Sequence, residues 1–247
     1  MRTLDFNTVL RTAVLAGLVA AVAVALFHQV ATEPLIDAAI EIEESRAAAH
    51  ATGEAAEGAP VVSRDAQRIG LMVGVPLYGV AMGILFCIAF FLVQRLRPGL
   101  DPIKRGALLG LAGYWCLALA PFLKYPANPP GVGDPETIQA RVFLDLAMKV
   151  LLLAAAAASF AVAGRGSLRP WMLVVANVLF GAVLFAVLPV NTDPVAMPGG
   201  LLLQFRALSL AGLTLLWGLM TALFVWQLKR STGEGPAGAA LTGPAPA

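Results

Sequence analysis

The sequence predicts an all-α polytopic membrane protein, with six transmembrane helices arranged as helical hairpins. Three observations carry this. Hydrophobic residues make up 59% of the 247-residue chain and charged residues only 13%, far from the balance of a soluble domain. Six apolar stretches, at about 12–31, 69–94, 104–123, 142–163, 170–188 and 207–228, approach the roughly 20 residues a helix needs to cross a bilayer. The stretches are continuous and rich in Ala, Leu and Gly, without the alternation of a membrane strand; helices satisfy the backbone where no water can.

Charge orients the spans. Basic residues gather at Arg2 and Arg11, at Arg95, Arg97, Lys104 and Arg105, at Arg165 and Arg169, and at Lys229 and Arg230. These regions share one side if all six stretches cross. Most acids fall on the other side, among them Glu33, Asp37, Glu41, Glu43, Glu44, Asp134, Glu136 and Asp193. The positive-inside bias assigns both termini to the cytoplasm. A net charge of +2 made of such topological residues, with no binding motif, points to no nucleic-acid partner.

The first stretch is read as a retained helix, although Ala23-Val24-Ala25 resembles a signal-peptide cleavage site. Residues 45–63, dense in Ala, Gly and Glu, read as a low-complexity outer linker. In the second span Gly70/Gly74 and Gly79/Gly83, and in the third Gly106/Gly110, form small-xxx-small steps that let helix backbones approach. The alanine run 154–158 promises the same in the fourth. Cys87 and Cys116, inside spans two and three, read as small packing residues.

The fourth span carries Arg141, Asp145 and Lys149, each four apart and so stacked on one face. If that span starts near Ala140, Lys149 falls about 13 Å deeper at 1.5 Å per residue. A lone ammonium there costs at least about 2.5–3.5 kcal/mol, so it should face the bundle and pair with Asp145. That pair is either a staple between helices or a lock that a cation or proton loosens. Asn177, mid-way along the fifth span, is placed for an interhelical hydrogen bond. Residues 1–230 thus form one six-helix domain, and 231–247, Gly, Pro and Ala without periodicity, a disordered cytoplasmic tail.

Two outer loops repeat one pattern. Pro126-Ala127-Asn128 is followed by Pro135, and Pro189-Val190-Asn191 by Pro198, the second copy 63 positions after the first (126 to 189). Arg141 and Arg206 then open the next apolar stretches. The prolines break the helices, and Asp134-Pro135-Glu136 reads as a helix start with Asp134 as its cap. Freed carbonyls, Asn128 and Asn191, and a helix start are the parts from which transporters build sites; rigid turns that clamp neighbouring helices would use the same residues.

The segment from Pro121 to Ile138 (PFLKYPANPPGVGDPETI), with Arg141 after it, resembles the central signature of the CbtA family of cobalt transporter subunits. Glu33-Pro34-Leu35-Ile36, Arg68-x-Gly70, Leu77-Tyr78-Gly79-Val80, Leu188-Pro189-Val190-Asn191, Phe205-Arg206 and Leu216-Trp217 extend the resemblance over nearly the whole chain. It implies a multi-span inner-membrane subunit for cobalt uptake linked to cobalamin synthesis, beside a CbtB-like partner with one span and a histidine-rich end. Transported Co²⁺ is then the ligand, with no cofactor.

Cobalt(II) accepts imidazole and carboxylate ligands. The best cluster of such residues follows the first span: His28 near its end, then Glu33, Asp37, Glu41 and Glu44 at intervals of four, four and three, on one helical face. These carboxylates read either as a candidate metal site at the outer mouth or as the solvated face of an interfacial helix. His28 and His50 are the only histidines, which makes a partner the richer source of imidazole.

Three function classes compete. A cation permease is one; the membrane potential favours entry of a dication by about 4.6 kcal/mol at 100 mV, and the chain has no nucleotide-binding Gly-rich Lys motif. An intramembrane enzyme is another, opposed by the lack of a nucleophile elbow or His-Glu-x-x-His. A non-transporting scaffold for a metal-binding partner is the third.

Overall fold

Six helices among the described residues are long and apolar enough to span a membrane. The computed structural model describes residues 4–50, 62–130, 132–166, 169–193, 195 and 197–232; most of the expected linker and tail lies outside these. In chain order the elements are α1 (Phe6–Ala31), α2 (Glu33–His50), α3 (Arg64–Leu96), α4 (Pro102–Tyr114), a π-helical turn (Trp115–Leu119), α5 (Ala120–Lys124), α6 (Ile138–Gly164), α7 (Pro170–Val187) and α8 (Gly199–Thr232). The spans are α1, α3, the continuous run from α4 through α5, α6, α7 and α8.

Most helices outrun their apolar stretches because polar residues finish them. α3 begins at Arg64, with the Ser63 hydroxyl accepting the Ala66 N–H at 3.3 Å. α4 begins with Pro102 behind Asp101, whose carboxylate accepts the Lys104 N–H at 2.9 Å. α2 continues to His50, into sequence expected to be linker. The π turn has a nearby cause: in a regular helix the Pro121 ring would collide with the Leu117 carbonyl. The turn widens instead, and the Ala120 N–H bonds to the carbonyl of Trp115.

Lipid supplies no hydrophobic drive for helices to associate, so close packing must. α1 lays Ala13, Ala16, Gly17, Ala20 and Ala21, all buried, along α3. A Cβ on Gly17 would strike the Gly79 carbonyl, and one on Gly83 would come within 2.5 Å of the Ala13 carbonyl. α8 closes the bundle against α1 and α4: Gly106 faces the Phe224 ring, Gly110 faces Thr221 and Gly113 faces Trp217. Phe86 and Phe90 meet Phe224 edge-on at 4.9 and 5.5 Å between centroids.

Two packing expectations need correction. Gly70 and Gly74 face open space, with nothing within 4 Å of a Cβ on either. Five residues separate Gly74 from Gly79, which turns the first pair roughly 140° away from the seam. The alanine run of α6 is mostly exposed or half-buried, and within it Ala156 packs. The hairpin α6–α7 docks instead through Met148, Leu152 and Leu184 onto Cys116 and Ala120, with Trp115 seated against Gly181. Both cysteines are buried and free.

The seam and the open pair of glycines therefore respond differently to substitution. Gly79→Val is expected to cost about 1–3 kcal/mol or more through overpacking, seen as a lower melting temperature and less monodisperse protein after detergent extraction. Gly74→Val should leave both unchanged. Equal losses in the two variants would contradict the packing described.

Candidate functional site

The two loops meet at one end of the bundle, and each is held by groups from the other half of the repeat. Lys124 closes α5 with its side chain buried; its ammonium donates to the Phe185 carbonyl at 2.7 Å and lies 4.9 Å from the Phe185 ring centroid. That carbonyl belongs to the last turn of α7, where carbonyls lack helical partners and the dipole favours a cation. Beside it the Tyr125 hydroxyl donates to the Pro189 carbonyl at 2.8 Å.

The arginines then cross. Arg206 of α8, which follows the second loop, donates through Nη2 to Asn128 Oδ1 of the first loop at 2.7 Å. Arg141 of α6, which follows the first loop, sets Nε 3.3 Å from Asp193 Oδ2 of the second. This is an ion pair without the alignment of a hydrogen bond. Its Nη2 donates to the Asp134 carbonyl at 3.1 Å. Gly133 has φ +104°, and a Cβ there would lie 2.6 Å from Arg141 Nη1, so the turn needs glycine twice over.

Asp193 is the junction of this network. Its Oδ2 accepts from the Thr137 hydroxyl at 2.8 Å and the Asp134 N–H at 3.2 Å, while its own N–H donates to Asn191 Oδ1 at 3.0 Å. The Thr137 hydrogen bond, then the Asp134 N–H and the Arg141 charge, hold its carboxyl below the usual carboxylate range against the opposing pull of desolvation. Asp134 does cap a start, though of the 3₁₀ turn Pro135–Thr137 that precedes α6; its Oδ1 accepts the Glu136 N–H at 2.8 Å.

Beneath the loops is a cavity of about 770 Å³, whose walls include Asn128, Arg141, Asp145, Lys149, Asn191 and Arg206. Lys149 Nζ lies 2.5 Å from Asp145 Oδ2, with both side chains about one-third exposed. Asn177 is elsewhere, donating to Ser159 Oγ of α6 at 2.7 Å and to the Leu173 carbonyl. Sequence reasoning missed Tyr78, Lys124, Tyr125 and Asp193 as wall residues. Lys124 and Tyr125 directly precede Pro126, but their repeat counterparts, Val187 and Leu188, are apolar, so the duplication gave no signal for them.

Two of the acids that follow α1 are bound by arginines of α3. Arg64 Nη2 lies 2.6 Å from Glu33 Oε2 and 2.8 Å from Asp37 Oδ1; Arg68 reaches Asp37 Oδ2 at 2.6 Å and Glu33 Oε2 at 3.3 Å. Two arginines one turn apart on α3 match two acids one turn apart on α2, a complement readable from the spacing of both pairs. Hydrogen bonding to Arg64, with Arg68 beside it, holds the Asp37 carboxyl below the usual range. Glu41 and Glu44 are exposed. His28 bonds Thr32 Oγ1 at 2.8 Å and rests on Gly212. Among the described residues no three His, Cys, Asp or Glu stand together as a metal cluster.

Strong acid should loosen the loop junction. A carboxyl held low when folded stabilises the fold above the ordinary carboxylate pKa of about 3.9, and that contribution is lost as pH falls through the lower folded value. Melting temperature is therefore expected to be flat from neutral pH down to about 5 and then to fall. Asp193→Asn should melt lower at neutral pH and show a shallower acid limb, measured by thermal denaturation across pH in detergent.

One family's sequence model, described as probable cobalt transporter subunit (CbtA), matches residues 6–229. No curated protein and no solved structure matches the chain.

Proposed function

The chain belongs to the CbtA family, and from that premise we propose that it is the multi-span subunit of a cobalt uptake system in a bacterial cytoplasmic membrane, supplying cobalamin synthesis, with both termini inside. The observation that carries this reading is the extent of the match, which takes in all six spans and both crossed loops. The cavity where those loops meet, with Asn128, Asn191 and charged side chains among its walls, supports the reading, because transporters build sites from such interrupted helix ends.

The same geometry supports a division of labour with a CbtB-like, single-span, histidine-rich partner. Glu33 and Asp37 are engaged by Arg64 and Arg68, and Asp145 by Lys149. Carboxylates already bonded to fixed cations are poor ligands for a second cation, so the partner is the source of metal ligands and this chain supplies the passage. The membrane potential, worth about 4.6 kcal/mol for a dication at 100 mV, drives entry without a nucleotide. The second reading, a scaffold that only holds the partner, rests on the same engaged carboxylates.

Cellular accumulation of Co²⁺, Ni²⁺ and Zn²⁺ with this chain, the partner, both or neither separates the readings. Both together are expected to raise Co²⁺ above the other metals. Asp145→Asn, at unchanged membrane abundance, should cut Co²⁺ uptake at least about tenfold, equivalent to 1.4 kcal/mol, because it frees Lys149 as an unopposed charge on the cavity wall. Normal uptake by that variant removes Asp145 from the route; uptake by the partner alone leaves this chain as scaffold.

A further inference from the structure

We propose that the cavity between the crossed loops is a binding site for an oxyanion, a small molecule or headgroup that presents carboxylate or phosphate oxygens. Four cationic side chains, Lys124, Arg141, Lys149 and Arg206, stand on its walls against two carboxylates, Asp145 and Asp193. The excess is two positive charges. Both carboxylates are committed. Asp145 is held by Lys149, and Asp193 by Thr137, the Asp134 N–H and Arg141.

The donors are not exhausted in the same way. A guanidinium has five N–H groups and an ammonium three. Arg206 gives Nη2 to Asn128, and its Nε is buried without a hydrogen-bond partner among the described residues. Lys149 has one carboxylate oxygen, and Lys124 one carbonyl, in hydrogen-bond contact. Buried N–H groups are normally satisfied, and planar guanidinium donors match the oxygens of carboxylate or phosphate. A volume of about 770 Å³ lies within the range of small-ligand sites. Sign, donor type and size all select the same class.

The site holds whether or not cobalt flux runs through this chain, and its test needs no metal. Citrate, inorganic phosphate and chloride at matched ionic strength are titrated by calorimetry into the purified full-length chain in chelator-treated detergent. Melting is also measured in nanodiscs with and without phosphatidylglycerol. The variants are Arg206→Gln, and Asn191→Asp, which keeps the oxygen that accepts the Asp193 N–H and adds one negative charge to the wall. Citrate or phosphate is expected to bind the wild type, with affinity at least about tenfold lower in each variant, which identifies a free solute. Stabilisation by phosphatidylglycerol alone, lost in the variants, identifies a headgroup. Should Arg206→Gln not fold, Asn191→Asp carries the result. No effect of any of these anions beyond chloride, or undiminished affinity in Asn191→Asp, overturns the site. Cobalt accumulation is scored separately, so either reading can fail alone.

Discussion

The exchange of arginines between the two loops is the interaction on which the loop end of this molecule depends. Proline-rich loops leave helix ends with carbonyls and amides that nothing in the same helix can satisfy, and the membrane offers little water to replace them. Here each loop is satisfied by the half of the chain that contains the other. Arg206 reaches back to Asn128, Arg141 forward to Asp193, Lys124 to the end of α7 and Tyr125 to Pro189. Neither loop has a complete set of partners without the other. The consequence is a rim, and a cavity under it, joined by bonds between halves.

The rim needs a base, and the small-residue seam provides one. α1 and α3 approach so closely at Gly17 and Gly79 that no side chain fits between them, and α8 uses Gly106, Gly110 and Gly113 in the same manner to receive Phe224, Thr221 and Trp217. The hairpin α6–α7 is attached more lightly, through the π turn and Trp115. Two cavity walls therefore come from different mechanical units: Tyr78 and Arg206 from the tight bundle, Arg141, Asp145 and Lys149 from the hairpin. At the same end of the bundle α2 joins them, with Ala39 packed against Val132 of one loop and Met197 of the other.

How much of this was legible in the sequence depends on the range of the interaction concerned. Six spans, the loop duplication and the Asp145–Lys149 pair are properties of local spacing, and the sequence displays them. Which glycines pack is set by rotation about a helix, so Gly79 and Gly83 could be found but not separated from Gly70 and Gly74 without a partner. Arg64 and Arg68, a matching pair some thirty residues on, hold two of the acids after α1, a contact that the spacing of those acids alone does not give. The crossing of Arg141 and Arg206 joins residues 50 to 80 positions apart and leaves no local trace. Lys124 was invisible for a further reason, since its counterpart in the second repeat is Val187.

Electrostatics then decides what the cavity can admit. A sphere of its volume has a radius of about 6 Å, and a dication at its centre facing two excess positive charges is repelled by about 11 kcal/mol at an effective dielectric of 20. The membrane potential returns about 4.6 kcal/mol for the whole crossing. Even if screening halves the repulsion, a bare Co²⁺ gains nothing by resting there. A small anion has the opposite sign and meets the cationic side chains on the walls. The excess of fixed cations therefore disfavours a free divalent ion at rest in the cavity and favours an anion there.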